Sequence, residues 1–122
     1  MEIKQVLSRF YVNEMDASIE FYEALFQQSC CLRFRHDRFG IELAQVGNAL
    51  ILAGTEDALE PFVKTKVTFL VDSIVEFRKF LLENGAVIIR DITNVPTGIN
   101  MTVEHADGTI AEYVEFKSNA PD

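Results

Sequence analysis

The sequence predicts an α+β fold: two βαβββ modules in tandem, joined into a concave, partly open mixed sheet around a cavity. The order strand, helix, three strands occurs once in each half of the chain. A shift of roughly 60 residues, the length of a supersecondary module, lays Phe69-Leu-Val71 over Phe10-Tyr-Val12. The same pattern pairs Ser73-Ile74 with Ser18-Ile19, and Gly108-Thr109 with Gly47-Asn48. Each half also carries one helix with an apolar stripe, enough to cover one face of a small sheet. The predicted layout is a single domain over residues 1–122, with module 1 at 1–55, a loop at 56–63, module 2 at 64–117 and a tail at 118–122.

Taken in order, Ile3 to Val12 alternates as a strand, with Leu7, Arg9 and Tyr11 on one face. Asp16 is the expected helix cap, and Ile19, Tyr22, Leu25 and Phe26 recur at helical spacing after it. Cys30 to Phe39 alternates again, with Arg33 and Arg35 read as surface residues. Ile41 to Val46 and Ala49 to Ala53 are strands around a Gly47-Asn48 turn, and Thr55 is placed to open one helical turn. Lys64 to Val71 is the next predicted strand, with Lys66, Thr68 and Leu70 on one face. Ser73-Ile-Val-Glu76 is a capping box, and Asn84-Gly85 is a left-handed helix stop. Strands over Ala86 to Arg90 and Asn100 to Glu104 flank Asn94-Val-Pro-Thr-Gly98, read as a turn.

The last stretch is the most informative. Asp107-Gly108 makes a tight turn, and Ile110, Glu112, Val114 and Phe116 then share one face of a strand. A carboxylate among apolar neighbours needs a partner or a use, because burying it alone is costly.

Composition narrows the function. With 48% hydrophobic residues in 122, the chain can bury a core. Its net charge of −8 argues against a nucleic-acid groove or an anionic membrane surface. Cys30 and Cys31 are adjacent, unsuited to an ordinary disulfide, and no Cys/His spacing suits zinc. Without a signal-peptide pattern or a long apolar run, the expected location is the cytoplasm.

Val12 with Ser18-Ile-Glu-Phe-Tyr22 and Leu25, Phe69-Leu-Val-Asp72 with Asn84-Gly85, and Asp107-Gly108 ahead of Ala111-Glu112 together resemble the vicinal oxygen chelate superfamily, the group of glyoxalase I, the bleomycin-resistance proteins and the extradiol dioxygenases. The resemblance runs from Ile3 to Lys117. It implies metal-ligand positions on the first, fourth, fifth and eighth strands, which fall on Leu7, Ile51, Lys66 and Glu112. Only Glu112 is a normal ligand type, and one carboxylate holds a divalent ion poorly. The expectation is therefore no metal and no cofactor, with His36 and His105 read as packing or exposed residues. Lys66 and Glu112 either pair in the place of the ion or each reach solvent at the cavity rim, as a lysine readily does.

What the resemblance implies is a metal-independent, small-molecule-binding protein of the glyoxalase/bleomycin-resistance type, acting as a homodimer. Its pocket is expected to be lined by Leu7, Arg9, Tyr11, Ala49, Ile51, Ala53, Thr68, Leu70, Ile110, Glu112 and Val114. Such a wall suits an apolar or aromatic ligand, and Arg9 admits an anionic one, unless Glu42 or Glu112 takes its charge. The alternative is a lyase, isomerase or dioxygenase in which Glu112 serves as catalytic base or metal ligand.

Overall fold

The structure, a computed structural model, describes residues 1–117, so the predicted tail at 118–122 lies outside the described residues. Its elements are β1 (Ile3–Val12), α1 (Met15–Phe26), β2 (Cys30–His36), β3 (Ile41–Val46), β4 (Ala49–Ala53), α2 (Glu56–Leu59), β5 (Val67–Val71), α3 (Ile74–Glu83), β6 (Val87–Val95), β7 (Gly98–Glu104) and β8 (Ile110–Phe116). The tandem βαβββ order is the one the duplication predicts, with α2 as the short helix opened by Thr55, whose hydroxyl accepts the Ala58 N–H at 3.1 Å. The described residues form two compact units: Leu7–Lys66, and Met1–Val6 together with residues 67–117. Among the described residues, no helix is long and apolar enough to cross a membrane.

In the Leu7–Lys66 unit, β4 lies between β3, antiparallel to it, and β1, parallel to it; β2 pairs with β3 on the other side. Helix α1 covers one face, where Met15 and Ile19 pack with Ala44, Val46, Ile51 and Ala53, and Tyr22 and Phe26 close the edge. Leu25, predicted for that stripe, is 59% exposed. At about 100° per residue it lies roughly 120° round the helix from Ile19, whereas Tyr22 and Phe26 stay near it. The cap is Glu14 rather than Asp16, and Asp16 sits in the first turn, where its charge suits the helix dipole. β2 ends at His36 instead of Phe39, because residues 37–40 turn, with Gly40 at φ 67°.

In the other unit, β8 lies between β5, parallel to it, and β7, antiparallel to it, and β6 is the outer strand beside β7. Helix α3 seals one face: Ile74, Phe77 and Leu81 pack on Val71, Met101, Val103, Ala111 and Tyr113. Ser73 accepts the Glu76 N–H at 3.4 Å, and the Glu115 carboxylate accepts the Ile74 N–H at 2.9 Å. The helix stops as predicted. Gly85 takes φ 85°, which lets the Ala86 N–H return to the Leu81 carbonyl at 3.0 Å.

The fifth strand starts at Val67, three residues later than Lys64, so Lys66 is an exposed residue just outside it. The sixth runs on to Val95 rather than stopping at Arg90. Pro96-Thr97 then turns the chain into β7, as the turn reading has it. Gly98 is required there: at φ 154° a Cβ would stand 2.2 Å from the Glu115 carbonyl oxygen.

Candidate functional site

The face of the second unit opposite α3 carries a row of joined polar side chains. Thr68 on β5 stands beside Glu112 on β8, and Thr102 on β7 stands on the other side of Glu112. Side chains of paired residues point to the same face, so the acid sits mid-row. The Thr68 hydroxyl donates to Glu112 Oε1 at 3.0 Å, and Asn100 Nδ2 donates to Oε2 at 2.7 Å. Asn100 Oδ1 accepts from the Arg90 guanidinium at 2.8 Å. Arginine only donates and a carboxylate only accepts, so the amide has one chemically sensible orientation. Thr68 is 1% exposed and Asn100 6%, while Glu112 is half-buried and Arg90 reaches solvent. The row thus runs from the interior to the surface, each bond polarising the next.

Arg90 reaches this face through two irregularities in β6. Ile88 pairs with Val103, Arg90 with Thr102 and Thr93 with Asn100, so β6 carries extra residues on both sides of Arg90. Strict alternation would put Arg90 with Ile88 and Ile92, which pack toward the α3 core. The extra residue before it resets the parity and turns its side chain to the Glu112 face. Bulges re-aim side chains in this way and are common beside functional sites.

Five of the sequence-predicted residues, Thr68, Leu70, Ile110, Glu112 and Val114, come together here. Ile110 and Val114 flank Glu112 along β8 as expected, Thr68 and Thr102 flank it across the strands, and Arg90 and Asn100 were missed. A search for polar residues on the strands beside Glu112 would have found Asn100. Nothing in the alternation marks Arg90.

In the Leu7–Lys66 unit, Leu7, Arg9 and Tyr11 share a face of β1, as predicted. The register Arg9↔Leu50 and Tyr11↔Leu52 adds two leucines to it. Ile51 is a correction. It pairs with Phe10 and is 0% exposed in the core under α1, on the opposite face, and Ala49 and Ala53 go with it. The Arg9 guanidinium lies over the Tyr11 ring, 5.5 Å from its centre. The Tyr11 hydroxyl sits between the carbonyls of Phe62 and Thr65, 2.7 Å from the latter, and ties down the segment before β5.

Glu42, an expected partner of Arg9, is taken by Arg33, which also bonds Asp16 at 2.7 Å. These two hydrogen bonds, Glu42's first, push the Arg33 pKa up. A polar cavity of about 250 Å³ beside them is lined by Asn13, Asp16, Arg33, Arg35 and Glu42 among others. Cys30 and Cys31 are both free thiols.

The histidines keep packing roles. The His36 ring lies 4.7 Å from that of Phe39, and His105 Nε2 is 2.8 Å from the Tyr113 hydroxyl, whose pKa burial pushes up to about 12. Among the described residues, no group of three or more His, Cys, Asp or Glu side chains is placed to hold a metal ion. The side chains bonded to Glu112 include a hydroxyl and an amide, with a guanidinium next in the row. Divalent ions favour several anionic or imidazole ligands, so this donor set does not fit one.

The fold is that of the methylmalonyl-CoA epimerases. The enzyme from Mycobacterium tuberculosis superposes with a TM-score of 0.75 at 14% identity, over 95% of this chain and 90% of its own. A Streptomyces coelicolor epimerase variant, in complex with 2-nitronate-propionyl-CoA, gives 0.75 at 14% identity over 96% and 100%. At those identities the likeness is one of fold. An uncharacterized protein from Methanosarcina mazei is 47% identical over 99% of this chain and 98% of its own, with a TM-score of 0.88, and the chain belongs to the same family as that protein. No protein-family model and no curated protein matches the chain.

Proposed function

We propose that this is a metal-independent small-molecule-binding protein of the glyoxalase/bleomycin-resistance type, within the vicinal oxygen chelate superfamily. The observation that carries the reading is the state of Glu112, the position where the resemblance implies a metal ligand. Its two oxygens accept from Thr68 and Asn100, and a guanidinium stands next in the row. Glu112 shares its face of β8 with Ile110 and Val114, and a few fixed polar groups among apolar side chains are what small-molecule sites use. The solved complex of a protein of this fold with a coenzyme A derivative agrees with such a use of the fold.

Metal analysis of protein purified without chelators tests it: the expected content is far below one ion per chain. One zinc, nickel, iron or manganese per chain, lost in Glu112→Gln, would overturn the reading. A thermal-shift screen with small aromatic and carboxylate compounds should then give a stabilising ligand.

A second reading is an isomerase in which Glu112 takes a proton from carbon. The epimerase fold and the fixed carboxylate favour it. Solvent deuterium entering methylmalonyl-CoA with wild type and not with Glu112→Gln would decide for it. The proposal also includes a cytoplasmic location, supported by the free thiols, and a homodimer, which light scattering would test.

A further inference from the structure

We infer that Arg90 is the anion-recognition residue of this site, and that the ligand carries a carboxylate which the free edge of its guanidinium takes in two-point fashion. The inference rests on the small-molecule-binding reading and narrows it. Asn100 is the positioning residue, because its amide oxygen holds one amino group of the guanidinium.

Three observations converge on Arg90. The first is its parity. Irregular pairing on both sides of it places it on the Glu112 face rather than the α3 face. The second is its partner. Arg33 bonds Asp16 and Glu42, Arg35 bonds Asp37, and Arg78 takes both oxygens of Asp91. Arg90, next to Asp91 in sequence, instead meets a neutral amide. In a chain with 19 acidic against 11 basic residues acidic partners are plentiful, yet the side chain that holds the Arg90 guanidinium is a neutral amide. The third is its support. A guanidinium has five N–H donors in a rigid fork. One amino group is engaged by a side chain that is itself 6% exposed and bonded onward to Glu112. The donors left over belong to an exposed, preorganised group, which is what planar carboxylate recognition uses.

The purely structural alternative is a staple between β6 and β7. Binding of matched probes separates the two: acetate and benzoate against acetamide and benzamide, followed by two-dimensional NMR that includes the arginine side-chain N–H signals. The expected result is saturable movement of the Arg90 side-chain signal and of the residue 100 and 112 amides with the carboxylates, and none with the amides.

Arg90→Gln should weaken benzoate at least about tenfold, the usual loss for a charge-assisted hydrogen-bonded contact. Arg90→Lys, which keeps the charge without the fork, should fall between. Arg33→Gln should bind as wild type. Because Arg90 is exposed, the melting temperature of Arg90→Gln should stay close to wild type, so lost binding is not lost folding.

Equal binding of benzoate and benzamide at these residues would overturn the inference and leave the small-molecule reading standing. Undiminished benzoate binding by Arg90→Gln would overturn it too. Failure of every probe to saturate would overturn the inference, and the broader screen would then decide the small-molecule reading by itself.

Discussion

The two halves of the chain share an element order and differ on one face. In each, a helix seals one side of a four-stranded arrangement with an apolar core: Met15 and Ile19 do so in the first, Ile74, Phe77 and Leu81 in the second. The opposite faces diverge. In the first half Leu7, Leu50 and Leu52 surround Arg9 and Tyr11, and the tyrosine hydroxyl is spent on backbone carbonyls. In the second half the equivalent face carries Thr68, Asn100, Glu112 and Arg90 in one bonded row. Duplication has preserved what packing demands, and chemistry is concentrated where the helix does not cover the sheet.

The strongest test of this contrast is on the helix side. Ile51→Ala should cost about 2–5 kcal/mol in urea denaturation, the range for emptying a closed aliphatic core site. It should leave ligand binding at Glu112 unchanged. A cost near zero would mean that Ile51 does not belong to the α1 core, and the division of faces would fail.

Next in size is Asn100→Ala. It removes a donor from Glu112 and an acceptor from Arg90, at a nearly buried position, and should cost about 1–3 kcal/mol. Asn100→Asp should be worse than Asn100→Ala, since it sets a second acid against the first and donates nothing. A double-mutant cycle of Asn100→Ala with Arg90→Gln, read in benzoate affinity, should show coupling, because the two act on one contact. Additive effects would reduce the row to separate surface contacts. Tyr11→Phe, the matching change in the first half, should cost about 1 kcal/mol through the loss of one hydrogen bond. It should loosen residues 62–66 in hydrogen exchange without altering binding at Glu112.

The fold was legible because its signals are local. Ser73, Asn84-Gly85 and Asp107-Gly108 each announce a helix start, a helix stop or a turn through their own backbone chemistry. The site was half legible. Glu112, Thr68, Leu70 and Ile110 follow from alternation along unbroken strands. Ile51 was misplaced because Ala49-Leu-Ile-Leu-Ala53 is apolar throughout and buried throughout, so no pattern within it selects a face. Register with β1 selects it, through Phe10↔Ile51. Arg90 was missed for the converse reason: alternation gives an answer there, and the bulge reverses it.

That reversal sets two neighbouring residues of β6 to different tasks, and pH can read one of them alone. Arg78 bonds the Asp91 carboxylate at 2.9 and 2.8 Å, and the Ile92 N–H adds a bond at 2.7 Å. Arg78's hydrogen bond first, then that backbone N–H, hold the Asp91 pKa down at about 2, from an ordinary 3.8. A depressed acid in the folded state contributes stability above its unfolded pKa and loses it as pH falls through the folded one. The contribution should therefore be complete above about pH 4 and fade toward about pH 2. Against wild type, Asp91→Asn should be less stable at neutral pH, and the two should converge in that acid window. The effect should be small and shrink in salt, because both groups are open to solvent. Carboxylate binding at Arg90 should be unchanged in Asp91→Asn, since its anchor is Asn100. If the variant instead bound benzoate more weakly, the two faces of β6 would be coupled, and the separation between helix-side packing and open-face recognition would not hold.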